Sequence, residues 1–106
     1  MTGLEAREAL AVRLNELREA GEIERVVLAN GCFDLLHVGH LRYLEDSRSR
    51  GDYLVVALNT DASVRQNKGE GRPLVPLDER AELIAGFSCV DAVFAFDEPT
   101  MDESLR

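Results

Sequence analysis

Apolar residues recur at Leu10, Leu14 and Leu17, with Glu and Arg between them. This i, i+4, i+7 spacing predicts an amphipathic helix over residues 3–20, and Gly21 stands where such a helix would stop. The pattern then changes. Val26–Ala29 is apolar at every position, the signature of a short strand covered on both faces in a parallel sheet. Leu41 and Leu44 mark the buried side of a helix from about Val38 to Arg48, which Gly51 and Asp52 break. Tyr53–Leu58 is a second continuous apolar strand. Asn59, Thr60 and Asp61 end it and can cap a short helix over Ala62–Gln66. Residues 67–73 are rich in glycine and charge and read as a loop. Pro76 sits near the start of a further helix, Leu77–Phe87, with Leu77, Ala81 and Ile84 on one stripe. Val90–Phe96 is a third strand.

Strand and helix alternate, so the fold class is α/β: a Rossmann-like parallel sheet with flanking helices and right-handed crossovers. A length of 106 residues points to one domain. It divides into an N-terminal helix, residues 1–21, and a core, residues 22–96. Only the first three strands and their helices are visible. A doubly wound sheet normally has a second half, so the domain is expected to be incomplete at its C-terminal side. The first strand would then be an open edge, and residues 1–106 alone are expected to self-associate through it and to have little or no activity.

Charge narrows the function. The formal net charge of −8 argues against non-specific binding to DNA or RNA, which relies on a basic surface. A small phosphate site needs only local donors and stays possible. The late acidic residues Asp91, Asp97, Glu98, Asp102 and Glu103 read as a solvated face. No apolar run reaches the length of a membrane span, and the first residues lack the apolar stretch of a signal peptide, so a cytoplasmic location is expected. Two isolated cysteines, Cys32 and Cys89, do not make a disulfide framework.

The chemistry concentrates after the first strand. Gly31-Cys-Phe-Asp34-Leu-Leu forms a tight turn, and His37 and His40 follow at the start of the next helix. Imidazoles three residues apart share one helix face. The first turn of a helix carries unpaired N–H groups and the positive end of its dipole, so strand, turn and helix start together make a phosphate site. The histidines add donors that can follow developing charge.

The segment Asn30-Gly-Cys-Phe-Asp-Leu-Leu-His-Val-Gly-His40 resembles the HxGH signature of the cytidylyltransferase-like nucleotidyltransferases. The similarity extends through Gly51-Asp52, residues 57–64, Lys68-Gly-Glu-Gly-Arg-Pro-Leu74, Pro76–Arg80 and Val90-Asp91. Together these look like the heptose 1-phosphate adenylyltransferase branch. Glycerol 3-phosphate cytidylyltransferases usually show Tyr-Gly-Thr where this chain has Asn30-Gly31-Cys32, and lack the Gly71-Arg72-Pro73 sequence. Family members continue with two more strands, a Lys-Gly-Gly/Thr-Asp segment and a Ser/Thr-rich nucleotide motif that this sequence does not contain.

The resemblance implies transfer of an adenylyl group from ATP to a sugar 1-phosphate, with Mg²⁺ accompanying ATP and held mainly by phosphate oxygens and water. His37, His40 and Lys68 would be catalytic. Asn30, Gly31, Cys32, Phe33, Asp34, Gly39 and His40 would bind nucleotide, with Asp34 orienting the turn or a histidine or forming an Asx turn. Lys68, in a mobile loop, and Arg72 and Arg80 would hold substrate phosphate. Asn59 and Asp61 would face the acceptor. The expected partners are ATP, the sugar 1-phosphate and a second copy of the chain in a homodimer, with no nucleic acid and no membrane. Other readings stand beside this one: a pair of histidines that only caps the helix, a cytidylyltransferase for an alcohol phosphate, a non-catalytic nucleotide-binding module, and a metal site of Cys32, His37 and His40.

Overall fold

The computed structural model describes residues 4–97. Helix α1 spans Arg7–Glu19, strand β1 Val26–Gly31, helix α2 Val38–Arg48 and strand β2 Tyr53–Asn59. Helix α3 spans Asp61–Lys68, helix α4 Leu77–Ala85 and strand β3 Ala92–Phe96. The three strands form one parallel sheet in the order β1-β2-β3, with Val26 opposite Tyr53 and Val55 opposite Ala92. The α/β reading of the sequence therefore matches the observed fold.

Alternation along each strand sorts the core into two layers. Ala29, Leu54, Val56, Leu58 and Val93 share a cluster with Leu44 of α2 and Ala81 and Ile84 of α4. Val55 and Ala92 turn the other way and pack with Leu10 of α1. Helix α1 is five residues shorter at its ends than expected in total, beginning at Arg7 and ending at Glu19. Residues 4 and 5 instead run beside β3: Leu4 bridges Val93, and the N–H of Glu5 donates to the Val93 carbonyl at 2.9 Å. Arg13 reaches back from α1 to the Glu5 carboxylate and donates to the Tyr53 hydroxyl at 2.8 Å, fixing that helix across the sheet.

The outer edge of β3 thus has a partner. Among the described residues, β1 pairs only with β2, so its other edge is open. Leu28, on the sheet face that α1 covers elsewhere, is 46% exposed. Two of the late acidic residues are bonded rather than simply solvated. The Asp91 carboxylate accepts from the N–H of Leu54 at 2.8 Å and from Arg48 at 3.1 Å, and Asp97 accepts from the Thr60 hydroxyl. Glu98, Asp102 and Glu103 lie outside the described residues. No helix among the described residues is long and apolar enough to cross a membrane.

Because all strands run the same way, Gly31, Asn59 and Phe96 end at one side of the sheet. The loops that leave these strand ends build the site.

Candidate functional site

The chain leaves β1 through a turn that bends at Phe33, whose φ of 49° lies in the left-handed region. A bulky residue there costs of order 1–3 kcal/mol and persists only where its surroundings hold it. Burial does so here: Phe33 is 5% exposed, and its ring lies against Gly31. A Cβ on Gly31 would stand 2.9 Å from that ring, which explains glycine at the strand end. The same ring meets His40 edge-on, with centroids 5.2 Å apart.

His37 is the N-cap of α2 rather than a residue within its first turn. Its Nδ1 accepts the N–H of Gly39 at 3.0 Å, and the Nδ1 of His40 accepts the N–H of His37 at 3.1 Å. The two rings stand 4.1 Å apart. A Cβ on Gly39 would fall 2.7 Å from the His37 ring, so glycine between the histidines makes the cap possible. A backbone N–H can only donate, so both Nδ1 atoms are acceptors. Each neutral ring then carries its proton on Nε2. The Nε2–H groups are left as donors at the positive end of the helix. Burial, and secondarily the neighbouring His37, push the His40 pKa below the ordinary histidine value.

Asp34 does more than an Asx turn would. Its carboxylate accepts the N–H groups of Leu74 and Val75, at 2.9 and 2.8 Å, and an Arg72 N–H at 3.2 Å. Burial alone would raise its pKa. The two backbone N–H groups and the Arg72 guanidinium outweigh this and hold the carboxyl below its usual range. Asp34 therefore ties the loop before α4 to the turn after β1.

Arg80 makes the second tie, and here the expectation of phosphate binding is corrected. The residue is 0% exposed. Its guanidinium donates to the Val75 carbonyl at 2.9 Å, the Cys32 carbonyl and Asp61 Oδ1 at 2.6 and 2.7 Å respectively. Enclosed between the turn after β1, the start of α3 and the loop before α4, the Arg80 side chain does not line the cleft and instead holds these three segments together. Lys68 also sits differently from the expectation. It is the last residue of α3, held by the helix, and the loop begins at Gly69.

A cleft of about 510 Å³ opens between these elements, lined by Cys32, Phe33, Asp34, Leu35, His40, Lys68 and Arg72. Six of the residues singled out in the sequence meet there. His37 does not line the cleft; its ring lies against that of His40, with centroids 4.1 Å apart. Asn30, Gly31 and Gly39 lie behind or beside the cleft without lining it. Asn59 donates to the Ser63 hydroxyl at 3.1 Å, inside the cap of α3. Asp61 lines a neighbouring cleft of about 320 Å³ together with Arg65, Gly71, Arg72, Pro73, Leu74 and Pro76. The sequence reading missed Leu35, which is 54% exposed, and Arg65. Arg65 lies three residues before Lys68 on α3, a spacing that shares a helix face.

Among the described residues, no group of three or more His, Cys, Asp or Glu side chains is placed to hold a metal ion. The acidic side chain in the larger cleft, Asp34, already faces three N–H donors. Any Mg²⁺ there would be one carried by nucleotide phosphates and water.

A sequence model of cytidylyltransferase-like proteins matches residues 28–106. The bifunctional protein HldE of Geobacter sulfurreducens is 56% identical over 91 residues, which cover 83% of this chain and 19% of that protein. Its counterpart in Alkalilimnicola ehrlichii is 60% identical over 77 residues, 73% of this chain and 16% of that protein. The chain thus spans under a fifth of the length of these curated relatives. A lipopolysaccharide core biosynthesis protein from Thermoplasma volcanium superposes with a TM-score of 0.67 at 35% identity, over 78% of this chain and 66% of that one.

Proposed function

Because the chain belongs to the cytidylyltransferase-like family, we propose that it transfers the adenylyl group of ATP to a sugar 1-phosphate, giving an ADP-sugar and pyrophosphate. The observation that carries this reading is the histidine pair. Two Nε2–H donors stand at the head of α2 beside a cleft large enough for a nucleotide.

In this mechanism an acceptor phosphate oxygen attacks the α-phosphorus of ATP. A bond forms between that oxygen and phosphorus, and the bond to the bridging oxygen of the β-phosphate breaks. Pyrophosphate leaves with the electron pair, and no protein nucleophile is needed. The chain positions the reactants and stabilises charge at the crowded α-phosphorus. His37 and His40 donate to the phosphate oxygens. Lys68, exposed at the end of α3, neutralises the triphosphate across the cleft. Mg²⁺ bound to ATP supplies further charge neutralisation. Asp34 and Arg80 hold the walls in place.

The choice of ATP and of a heptose 1-phosphate rests on the resemblance of Asn30-Gly31-Cys32 and of Lys68–Leu74 to the heptose 1-phosphate adenylyltransferase pattern. The likeness to a lipopolysaccharide core biosynthesis protein supports an acceptor of carbohydrate type. The test is to incubate the full-length protein with heptose 1-phosphate and either ATP or CTP, and to identify the product by mass spectrometry. ADP-heptose formed with ATP, and little product with CTP, is expected. Preference for CTP with glycerol 3-phosphate would establish the cytidylyltransferase instead. Nucleotide binding with no transfer to either acceptor would make this a binding module.

A further inference from the structure

Of the 12 lysine and arginine residues of the chain, Lys68 is the single lysine. Any ε-amine chemistry in residues 1–106 therefore falls on one atom, its Nζ. The structure puts that side chain on the nucleotide cleft. Lys68 ends α3, is exposed, and lines the cleft with Cys32, His40 and Arg72. Arg13, Arg48, Arg50, Arg72 and Arg80 each hold a carboxylate. Among the described residues the Lys68 amine has no hydrogen-bond or ion-pair partner. Phosphate donors stand beside it. His40 presents Nε2–H, because its Nδ1 accepts the His37 N–H, and Arg72 keeps its side chain 44% exposed while paired with Asp34.

We propose that Lys68 is a covalent control point of the cleft: acyl phosphates, docked by their phosphate on these donors, acylate its ε-amine and so weaken nucleotide binding. An acyl phosphate joins the two groups the cleft is equipped for, a phosphate for His40 and Arg72 and an electrophilic carbonyl carbon for an amine. In the step, Lys68 Nζ, as the free amine, forms an amide bond to the acyl carbon. The bond from that carbon to the phosphate oxygen breaks, inorganic phosphate leaves with the electron pair, and the amine proton passes to water. Docking holds the carbonyl near the amine and raises its effective concentration there. A guanidinium stays protonated, so Arg72 does not compete for the acyl group. The acylated lysine is neutral and no longer offsets the charge of a triphosphate. Bound nucleotide covers the same donors, so modification falls on the empty cleft. The proposal rests on the transferase reading only in placing nucleotide phosphates in this cleft.

The probe is acetyl phosphate, incubated with the intact protein and, separately, with a synthetic peptide of residues 62–74. Acetyl groups are mapped by mass spectrometry. Lys68 is expected to react about tenfold faster or more in the folded protein than in the peptide, and saturating ATP-Mg²⁺ should suppress the reaction. Acetic anhydride has no phosphate to dock and should show no such advantage for the folded protein. Calorimetry on protein acetylated at Lys68, and on Lys68→Gln, should show ATP bound about tenfold more weakly, as loss of a charge-assisted contact does. A rate no greater than the peptide's, an equal advantage for acetic anhydride, no protection by ATP, acetylation of Cys32 in place of Lys68, or unchanged ATP affinity would each overturn the control point. ATP-protected acetylation without any ADP-sugar formation would leave it standing and remove the transferase reading. ADP-sugar formation by a protein whose Lys68 reacts no faster than the peptide would do the reverse.

Discussion

His40 accepts the backbone N–H of His37 through Nδ1 at 3.1 Å, so the second histidine of the motif caps the helix that the first one opens. With His37 returning the favour to Gly39, both rings are fixed as Nε2–H tautomers. Protonation at Nδ1 would break these bonds. The depressed pKa of His40 fits this arrangement.

The sign of the pH dependence follows. An unfolded histidine titrates near about 6.5, and the folded His40 lower. The cap's contribution to stability is therefore complete above about 6.5 and is lost as the pH falls through the folded value. Nitrogen-15 spectra at neutral pH should show protonated Nε2 and bare Nδ1 in both rings. On acidification, α2 should fray first at His37–His40. Nδ1–H tautomers at neutral pH would contradict the cap.

Asp34 governs the loop that approaches the cleft. Without ligand, the Leu74 and Val75 amides should exchange slowly, because both are bonded to the buried Asp34 carboxylate. Gly69–Gly71 should exchange fast and gain protection when ATP-Mg²⁺ binds. Asp34→Ala should abolish the protection at Leu74 and Val75 and cost about 2–3 kcal/mol of stability. The carboxylate's contribution is present above the unfolded value of about 3.9 and disappears as the pH falls through the lower folded value. Equal, fast exchange of Gly71 and Leu74 in the unaltered protein would refute the tie.

Arg80→Ala should destabilise the protein by about 2–4 kcal/mol in urea unfolding, since it leaves the Cys32 and Val75 carbonyls and the Asp61 carboxylate without their donor. Asp61 is partly exposed, which keeps the cost below that of a fully enclosed pair. Arg80→Lys should recover only a small part, because one ammonium cannot serve three acceptors set for a guanidinium. A loss within about 0.5 kcal/mol would show that the three loops hold without it.

The periodic part of the fold was legible in the sequence. Continuous apolar runs located β1 and β2, the largely apolar stretch Val90–Phe96 located β3, and the stripe Leu77, Ala81 and Ile84 located α4, because burial imposes those patterns directly. Element ends were less so. Residues 4 and 5 left the predicted α1 to pair with β3, which no local pattern records. The histidine motif gave the place of the site. Its long-range ties were not readable. Asp34 meets Leu74 across forty residues, and Arg80 meets Cys32 across forty-eight. A charged residue in such a knot looks in sequence like one meant for a ligand, and only burial separates the two.

The central claim is that the His37 and His40 Nε2–H groups stabilise charge at the α-phosphorus. The most direct measurement is the steady-state kinetics of ADP-sugar formation by full-length His37→Ala and His40→Ala, with ATP binding measured alongside. Each variant is predicted to lower kcat on the order of 10²–10³-fold while ATP affinity changes only a few-fold, as expected for donors used chiefly in the transition state. Near-normal turnover in both variants would contradict the account.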